Sequence, residues 1–106
     1  MKPYTLLIIT DNIELRERLE SYFGSLSIIK LLPSAVDGMS GVAQARIFDP
    51  DLMLLDMLMP RMDGIAVLRS LRAENLCQNT RIFALSSMKG EEAVQLGGSL
   101  GGTYQI

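Results

Sequence analysis

Short runs of apolar residues alternate along the chain with segments in which apolar residues recur at helical spacing. The first run covers residues 6–9 and is bounded by Thr10, Asp11 and Asn12. Similar runs cover residues 52–55, which are followed by Asp56, and residues 82–85; residues 28–32 are apolar apart from Lys30 and are also predicted to form a strand. Continuous apolar runs of this length are typical of strands that are buried on both faces of a parallel sheet.

The segments between these runs predict amphipathic helices. The first begins after Asp11 or Asn12, either of which can cap it. The third presents Arg69 and Arg72 to solvent, and a fourth over 91–100 is expected to be short or frayed, because each glycine inside a helix costs up to ~1 kcal/mol relative to alanine. The residues expected to face the core are Leu15, Leu19, Tyr22, Phe23 and Leu26 in the first helix, Met39, Val42, Ala43 and Ile47 in the second, and Ile65, Leu68 and Leu71 in the third.

This order of elements predicts one α/β domain over residues 1–106. Strands that alternate with helices form a doubly wound parallel sheet with right-handed crossovers, here with the flavodoxin-like strand order 2-1-3-4-5. A fifth strand is expected to open at residues 103–106. The sequence ends at Ile106, so we expect this strand to be incomplete and the fifth helix to be lacking.

Composition narrows the functional classes. Of the 106 residues 48% are hydrophobic, and the net charge is −2 with both signs dispersed, so the broad positive field that nucleic-acid binding needs is absent. No run is long enough for an export signal or a membrane span. Cys77 is the single cysteine and there is no histidine, which argues against a disulfide or a zinc site and fits a reducing cytoplasm. We expect Cys77 to be a small buried residue.

Polar side chains follow three of the predicted strands. The first strand leads into Thr10 and Asp11, the third ends at Asp56, and the fourth leads into Ser86. Ligands of doubly wound sheets bind at the carboxyl ends of the strands, so these groups are expected to converge. Two carboxylates there suit Mg²⁺, and Asp56 could then attack a phosphoryl donor while Ser86 bonds a phosphoryl oxygen. The alternative is that Asp11 caps a helix, Ser86 belongs to a turn and Asp56 simply ends a strand.

Residues 49–64, with an apolar strand followed by Asp56, Met59-Pro60 and Asp63-Gly64, resemble the phospho-acceptor segment of bacterial response-regulator receivers. Residues 65–72 and 11–15 are similar in particular to receivers of sporulation transcription regulators of spore-forming Firmicutes. The resemblance implies a two-component or phosphorelay receiver that is not itself an enzyme and whose phosphodonor is a histidine kinase or phosphotransferase. Its implied site residues are Asp56 as phosphoryl acceptor, Asp11 and the backbone carbonyl of Leu58 as further Mg²⁺ ligands, Ser86 as switch hydroxyl, and Pro60 and Gly64 as residues that shape the loop.

The chain departs from the family pattern at several positions. Thr10 stands where receivers usually carry a second acid, which should weaken cation affinity about 10-fold or more. Gln105 stands where an aromatic residue is usual, with Tyr104 before it, and the usual phosphate-contacting lysine is missing, Lys89 being the nearest substitute in sequence. These departures keep a second hypothesis open, a degenerate receiver that acts as an interaction module without phosphorylation.

Two further hypotheses concern catalysis and self-association. A hydrolase with an aspartate nucleophile, of the haloacid dehalogenase type, would need a second Asp two residues after Asp56, where this chain has Leu58. The surface left by a missing fifth helix would be apolar and is a candidate for homodimer formation. The loop methionines Met57, Met59 and Met62 are interpreted as packing residues rather than as a soft-metal site.

Overall fold

The computed structural model describes residues 2–85 in full and the backbone of residues 103–105. The elements are β1 (Tyr4–Ile9), α1 (Ile13–Gly24), β2 (Ile29–Leu31), α2 (Gly38–Phe48), β3 (Leu52–Asp56), α3 (Gly64–Ala73), β4 (Arg81–Leu85) and β5 (Thr103–Gln105). The strands form one parallel sheet in the order β2-β1-β3-β4-β5. The doubly wound fold and its strand order are therefore confirmed, while the predicted helix over 91–100 lies outside the described residues.

The centre of the sheet is buried on both faces, as the apolar runs predicted. Leu6, Leu7, Ile8 and Ile9 of β1 are at most 1% exposed. Because side chains alternate along a strand, Leu7 and Ile9 join the core on the α2 and α3 side, whereas Leu6 and Ile8 join a smaller core on the α1 side. The register pairs Ile9 with Leu55, so the carboxyl ends of β1 and β3 lie side by side.

Helix α2 packs only in part through the residues that were predicted. Met39 and Ile47 were expected to face the core, but they are 76% and 70% exposed. The buried positions are instead Gly38, Gly41, Val42 and Ala45. An added Cβ on Gly41 would lie 2.8 Å from Cδ1 of Ile9, so the helix approaches β1 too closely for any side chain larger than hydrogen there. The prediction was right for Val42 but wrong for Met39 and Ile47, because small residues carry much of the contact.

The side chains of helix α1 are less buried than the pattern predicted. None of its residues is fully buried; Leu19 and Phe23 pack partly against the smaller core. Tyr22 was expected to face inward but is 62% exposed, with its ring edge-on to Phe23 at a centroid distance of 5.0 Å. The side chain of Asn12 accepts a hydrogen bond from the N–H of Leu15 and so caps the helix.

The remaining packing agrees with the sequence analysis. In α3, Leu68 and Leu71 are buried, Ile65 is partly buried, and Arg69 and Arg72 are exposed. Cys77 is buried, as expected for a small apolar residue. Within the part of the chain that the structure describes, none of the helices has the length and apolarity needed to cross a membrane.

Candidate functional site

The carboxyl edge of the sheet holds a buried carboxylate beside a buried hydroxyl. Asp56 is the last residue of β3 and pairs with Leu85 of β4. Asp56 is 8% exposed and Thr10 is 0% exposed, and these are the two buried polar side chains among residues 2–85. Because burial of polar groups is costly unless they are hydrogen-bonded, their partners define what this edge can do.

The carboxylate of Asp56 is held at both of its oxygens. The hydroxyl of Thr10 donates a hydrogen bond to Oδ2 over 2.7 Å, and the N–H of Leu58 donates to Oδ1 over 2.9 Å. An ionised carboxylate offers about two acceptor positions on each oxygen. Counting only partners among residues 2–85, one position remains on each oxygen of Asp56, enough for one cation and one electrophile.

Asp11 follows Thr10 directly and is exposed at the same edge. It lines a cavity of about 380 Å³ together with residues of the segments after β2 and β3, namely Val36, Asp37, Gly38, Met39, Met59, Pro60, Arg61 and Met62. The structure thus brings Asp11 to the loop that follows Asp56. That the two carboxylates and the carbonyl of Leu58 share one cation stays a prediction.

The charged groups described near Asp56 limit what could hold a cation there. Among residues 2–85, no lysine or arginine forms an ion pair with Asp56. No group of three or more acidic or cysteine side chains in the same range is placed to hold a metal ion. From the fully described residues, a cation here would draw on at most two carboxylates plus backbone and water oxygens, which is a donor set that Mg²⁺ accepts.

The loop after Asp56 is fixed by packing. Met57 and Met59 are 4% and 8% exposed, and Met62 packs partly against the same core. The interpretation of these methionines as packing residues is confirmed. The N–H of Met57 also donates to the carbonyl of Leu85 over 2.9 Å, which ties the start of the loop to β4.

Gly64 begins α3 at a point of close approach rather than in a special turn. An added Cβ would lie 2.5 Å from Sδ of Met57 and 2.8 Å from the carbonyl oxygen of Asp56. The resemblance implied that Gly64 shapes the loop, and it does so by close packing; the left-handed residue of this loop is Arg61, with φ of 67°. Gly64 matters because it lets the helix touch the backbone of Asp56.

Other predicted site residues fall beyond the fully described range. Ser86 and Lys89 lie outside the described residues, and Ser86 follows Leu85, the β4 partner of Asp56, directly in sequence. The backbone of β5 places Tyr104 opposite Phe83 and Gln105 opposite Ala84. The proposed involvement of Ser86 and of the residues at 104 and 105 therefore stays a prediction.

Sequence analysis missed the contact of Thr10 with Asp56, because it treated Thr10 only as the site of a missing acid. A signal was present, since the pair Thr5 and Asp51 has the same separation of 46 residues as Thr10 and Asp56 and is also hydrogen-bonded. In a parallel pair of strands a constant separation means facing positions. Two threonines each facing an aspartate across the same strand pair would have predicted both contacts.

Comparison with known proteins shows the family. The response regulator receiver domain family matches residues 6–105. The nitrate/nitrite response regulator protein NarL of Escherichia coli strain K12 is 34% identical over 86 residues, which are 81% of this chain. The matched region spans 40% of the length of that relative. The chain belongs to the response regulator receiver family.

Solved structures agree on the fold. The chemotaxis protein CheY4 of Vibrio cholerae superimposes with a TM-score of 0.87 at 23% identity, covering 98% of this chain and 85% of the other. The CheX–CheY complex of Borrelia burgdorferi with BeF₃ and Mg²⁺ gives a TM-score of 0.84 at 25% identity, covering 99% of this chain and 79% of that chain. The chain is therefore a receiver domain with the fold of CheY, and as such a module of two-component signalling.

Proposed function

We propose that this receiver domain accepts a phosphoryl group on Asp56. The observation that carries the proposal is the hydrogen bonding of that side chain: the hydroxyl of Thr10 donates to Oδ2 and the N–H of Leu58 donates to Oδ1. As far as the fully described part of the chain goes, this leaves one acceptor position on each oxygen. A nucleophile held in one orientation reacts without first losing rotational freedom. Asp11, which follows Thr10 in the sequence, adds a second carboxylate at the same edge of the sheet.

In the proposed step a carboxylate oxygen of Asp56 attacks the phosphorus of the donor. A bond forms between that oxygen and phosphorus while the bond from phosphorus to the donor atom breaks, and the leaving group keeps the electron pair. Such transfer depends mainly on positioning and on charge stabilisation. Asp11, Asp56 and the backbone carbonyl of Leu58 would hold Mg²⁺, which when bound neutralises charge on the phosphoryl oxygens. The Borrelia CheY complex with BeF₃ and Mg²⁺ supports this choice of ion.

The proposed phosphodonor is a histidine kinase or a phosphotransferase in the cytoplasm. Family membership supports it, since receivers are the acceptor partners of two-component systems. Adding roughly −2 charge at Asp56 would shift the balance between two arrangements of the domain. Ser86 is proposed as the hydroxyl that senses the new charge, because it directly follows the strand residue that pairs with Asp56.

Intact-mass spectrometry after incubation with acetyl phosphate and Mg²⁺ tests this proposal. We expect one phosphoryl adduct in the wild-type protein and none in Asp56→Asn. Asp51→Asn is the matched control, because Asp51 directly precedes β3 and accepts a hydrogen bond from Thr5 of β1, at the opposite end of the strand pair from Asp56 and Thr10. An adduct that persists in Asp56→Asn would overturn the assignment of the acceptor.

A degenerate receiver is the second candidate function. The observation that favours it is Thr10, a neutral residue where receivers usually carry an acid, buried directly against the acceptor. In that case the domain would bind its partner without phosphorylation. Absence of any adduct at every Mg²⁺ concentration, together with a folded protein, would favour this candidate over the first.

We also propose that the domain is a signalling module and not a hydrolase. Leu58 stands two residues after Asp56, where an aspartate-nucleophile phosphatase would need a second acid. Its side chain is 52% exposed, and it has no group able to donate or accept a proton. Turnover of a phosphomonoester such as p-nitrophenyl phosphate by the wild-type protein, lost in Asp56→Asn, would contradict this assignment.

Two assignments bear on the cellular response that this receiver domain controls. The sequence resemblance favours a sporulation transcription regulator, whereas the relative found by comparison is a nitrate/nitrite response regulator. The sporulation assignment therefore stays a prediction. Sequencing the complete gene and its neighbouring genes tests it. Homodimer formation also stays a prediction, and light scattering that shows only a monomer would count against it.

A further inference from the structure

Two threonines of β1 each contact an aspartate of the β3 region, at opposite ends of the same strand pair. Thr5 and Asp51 lie at the amino end, where the hydroxyl of Thr5 donates to Oδ2 of Asp51 over 3.1 Å and Asp51 is exposed. Thr10 and Asp56 lie at the carboxyl end, where the bond is 2.7 Å and both residues are buried. The same type of threonine–aspartate pair is thus exposed to solvent at the amino end of the strands and enclosed at the carboxyl end, where its aspartate is the proposed phosphoryl acceptor.

The orientation of the Thr10 hydroxyl is fixed by its surroundings. An ionised carboxylate only accepts hydrogen bonds, so the hydroxyl proton must point to Asp56. The N–H of Asn12 donates to the same hydroxyl oxygen over 3.1 Å, and the N–H of Thr10 donates to the carbonyl of Ala35 over 3.1 Å. The hydroxyl is therefore held in position before any ligand arrives.

We infer that Thr10 is a positioning residue that orients the carboxylate of Asp56 in the metal-free protein. The inference rests on the proposed function for its consequence in catalysis, but the positioning itself does not. An acid at position 10 would lie against Asp56 and repel it until a cation came between them. A hydroxyl attracts the carboxylate instead, so the carboxylate of Asp56 is already oriented before Mg²⁺ binds.

Amide hydrogen exchange at Leu58 in the metal-free protein reads this positioning directly. The N–H of Leu58 donates to Oδ1 of Asp56, so its protection reports whether the carboxylate stays in place. We compare the wild-type protein with Thr10→Val, which has nearly the same shape without the hydroxyl, and with Thr10→Ser, which keeps it. Thr5→Val is the matched control, because it removes the equivalent bond to Asp51 at the other end of the same strands.

We expect the Leu58 amide to exchange about tenfold faster in Thr10→Val, which corresponds to the loss of one hydrogen bond to a charged group. Thr10→Ser should restore the wild-type rate, and Thr5→Val should leave it unchanged. The initial rate of phosphorylation by acetyl phosphate should fall by about the same factor in Thr10→Val. A folded Thr10→Val protein with unchanged Leu58 exchange would overturn the inference.

A further variant keeps the test decisive if Thr10→Val does not fold. Thr10→Asp should show fast Leu58 exchange without metal and slow exchange once Mg²⁺ is added, whereas Mg²⁺ should change the wild-type rate much less. Equal rates for metal-free Thr10→Asp and wild type would contradict the inference. If the wild-type protein takes up no phosphoryl group, the proposed function fails, but the exchange measurements still decide whether Thr10 positions Asp56.

Discussion

Substitution of Gly64 by alanine is expected to disturb the acceptor itself, because Gly64 lies against the backbone of Asp56. The added Cβ would lie 2.5 Å from Sδ of Met57, 2.8 Å from the carbonyl oxygen of Asp56 and 2.8 Å from Cα of Met57. The methionine sulfur lies on a flexible side chain and can move. The two backbone atoms cannot move without shifting the end of β3 or the start of α3.

The magnitude follows from two opposing effects. Overpacking of a well-packed site costs about 1–3 kcal/mol, whereas alanine gains at most ~1 kcal/mol over glycine from helix propensity. The first effect should win, because the close atoms belong to the backbone and because Gly64 is only the first residue of its helix. For a domain of this size each kcal/mol corresponds to about 4–8 °C in Tm. We therefore expect Gly64→Ala to lower Tm by several degrees and to slow phosphoryl uptake by Asp56.

Thermal unfolding followed by circular dichroism measures the stability change, and intact mass measures the uptake. Gly24→Ala is the matched control: Gly24 is the last residue of α1, and an added Cβ there would lie 3.2 Å from Cδ1 of Leu31, the movable end of a side chain. We expect its Tm to stay near that of wild type. A Gly64→Ala protein as stable as wild type would refute the claim that close backbone approach, rather than chance, places glycine at this position.

Three further predictions concern residues away from the acceptor. The pKa of the Asp37 carboxyl is lowered mainly by the hydrogen bond from the N–H of Ser40. The stabilisation of the fold by this carboxylate is therefore present at neutral pH and is lost as the carboxylate protonates. Asp37→Ala should lower Tm at pH 7 and much less at about pH 3. Arg46 bonds Glu74 at 2.9 Å with both side chains about half exposed; Arg46→Met should cost less than about 1 kcal/mol, and high salt should shrink the difference in urea unfolding. Burial raises the pKa of the Cys77 thiol; iodoacetamide should modify it slowly at pH 8 in the native protein and rapidly in urea, and fast native labelling would contradict its burial.

The sequence predicts the centre of this fold well because the apolar runs in β1 and β3 leave little choice. A strand such as Leu6–Ile9, apolar at every position, is stable only between two layers, so a parallel sheet with helices on both faces follows. The same reasoning placed Asp56 and Asp11 at the carboxyl edge. What it missed was the hydrogen bond from Thr10, because the residue types were considered without the register of β1 against β3, which the equal separation of the two threonine–aspartate pairs would have given.

The errors in the helices share a physical cause. A hydrophobicity pattern scores Met39 and Ile47 as core residues and Gly41 as neutral, but Gly41 lies so close to the side chain of Ile9 in β1 that an added Cβ would clash with it. Glycine and alanine then carry the contact and the larger side chains point outward. Tyr22 was misplaced for a related reason, since an amphipathic ring satisfies the helical pattern and still prefers the surface.

The most direct test of the central claim is reductive trapping of the phosphoprotein. Borohydride reduces an aspartyl phosphate to homoserine, so wild-type protein incubated with acetyl phosphate and Mg²⁺, reduced and then sequenced by tandem mass spectrometry should contain homoserine at position 56. Asp56→Asn treated in the same way should contain none. Homoserine at another aspartate, or phosphate found only on a hydroxyl side chain, would contradict the account.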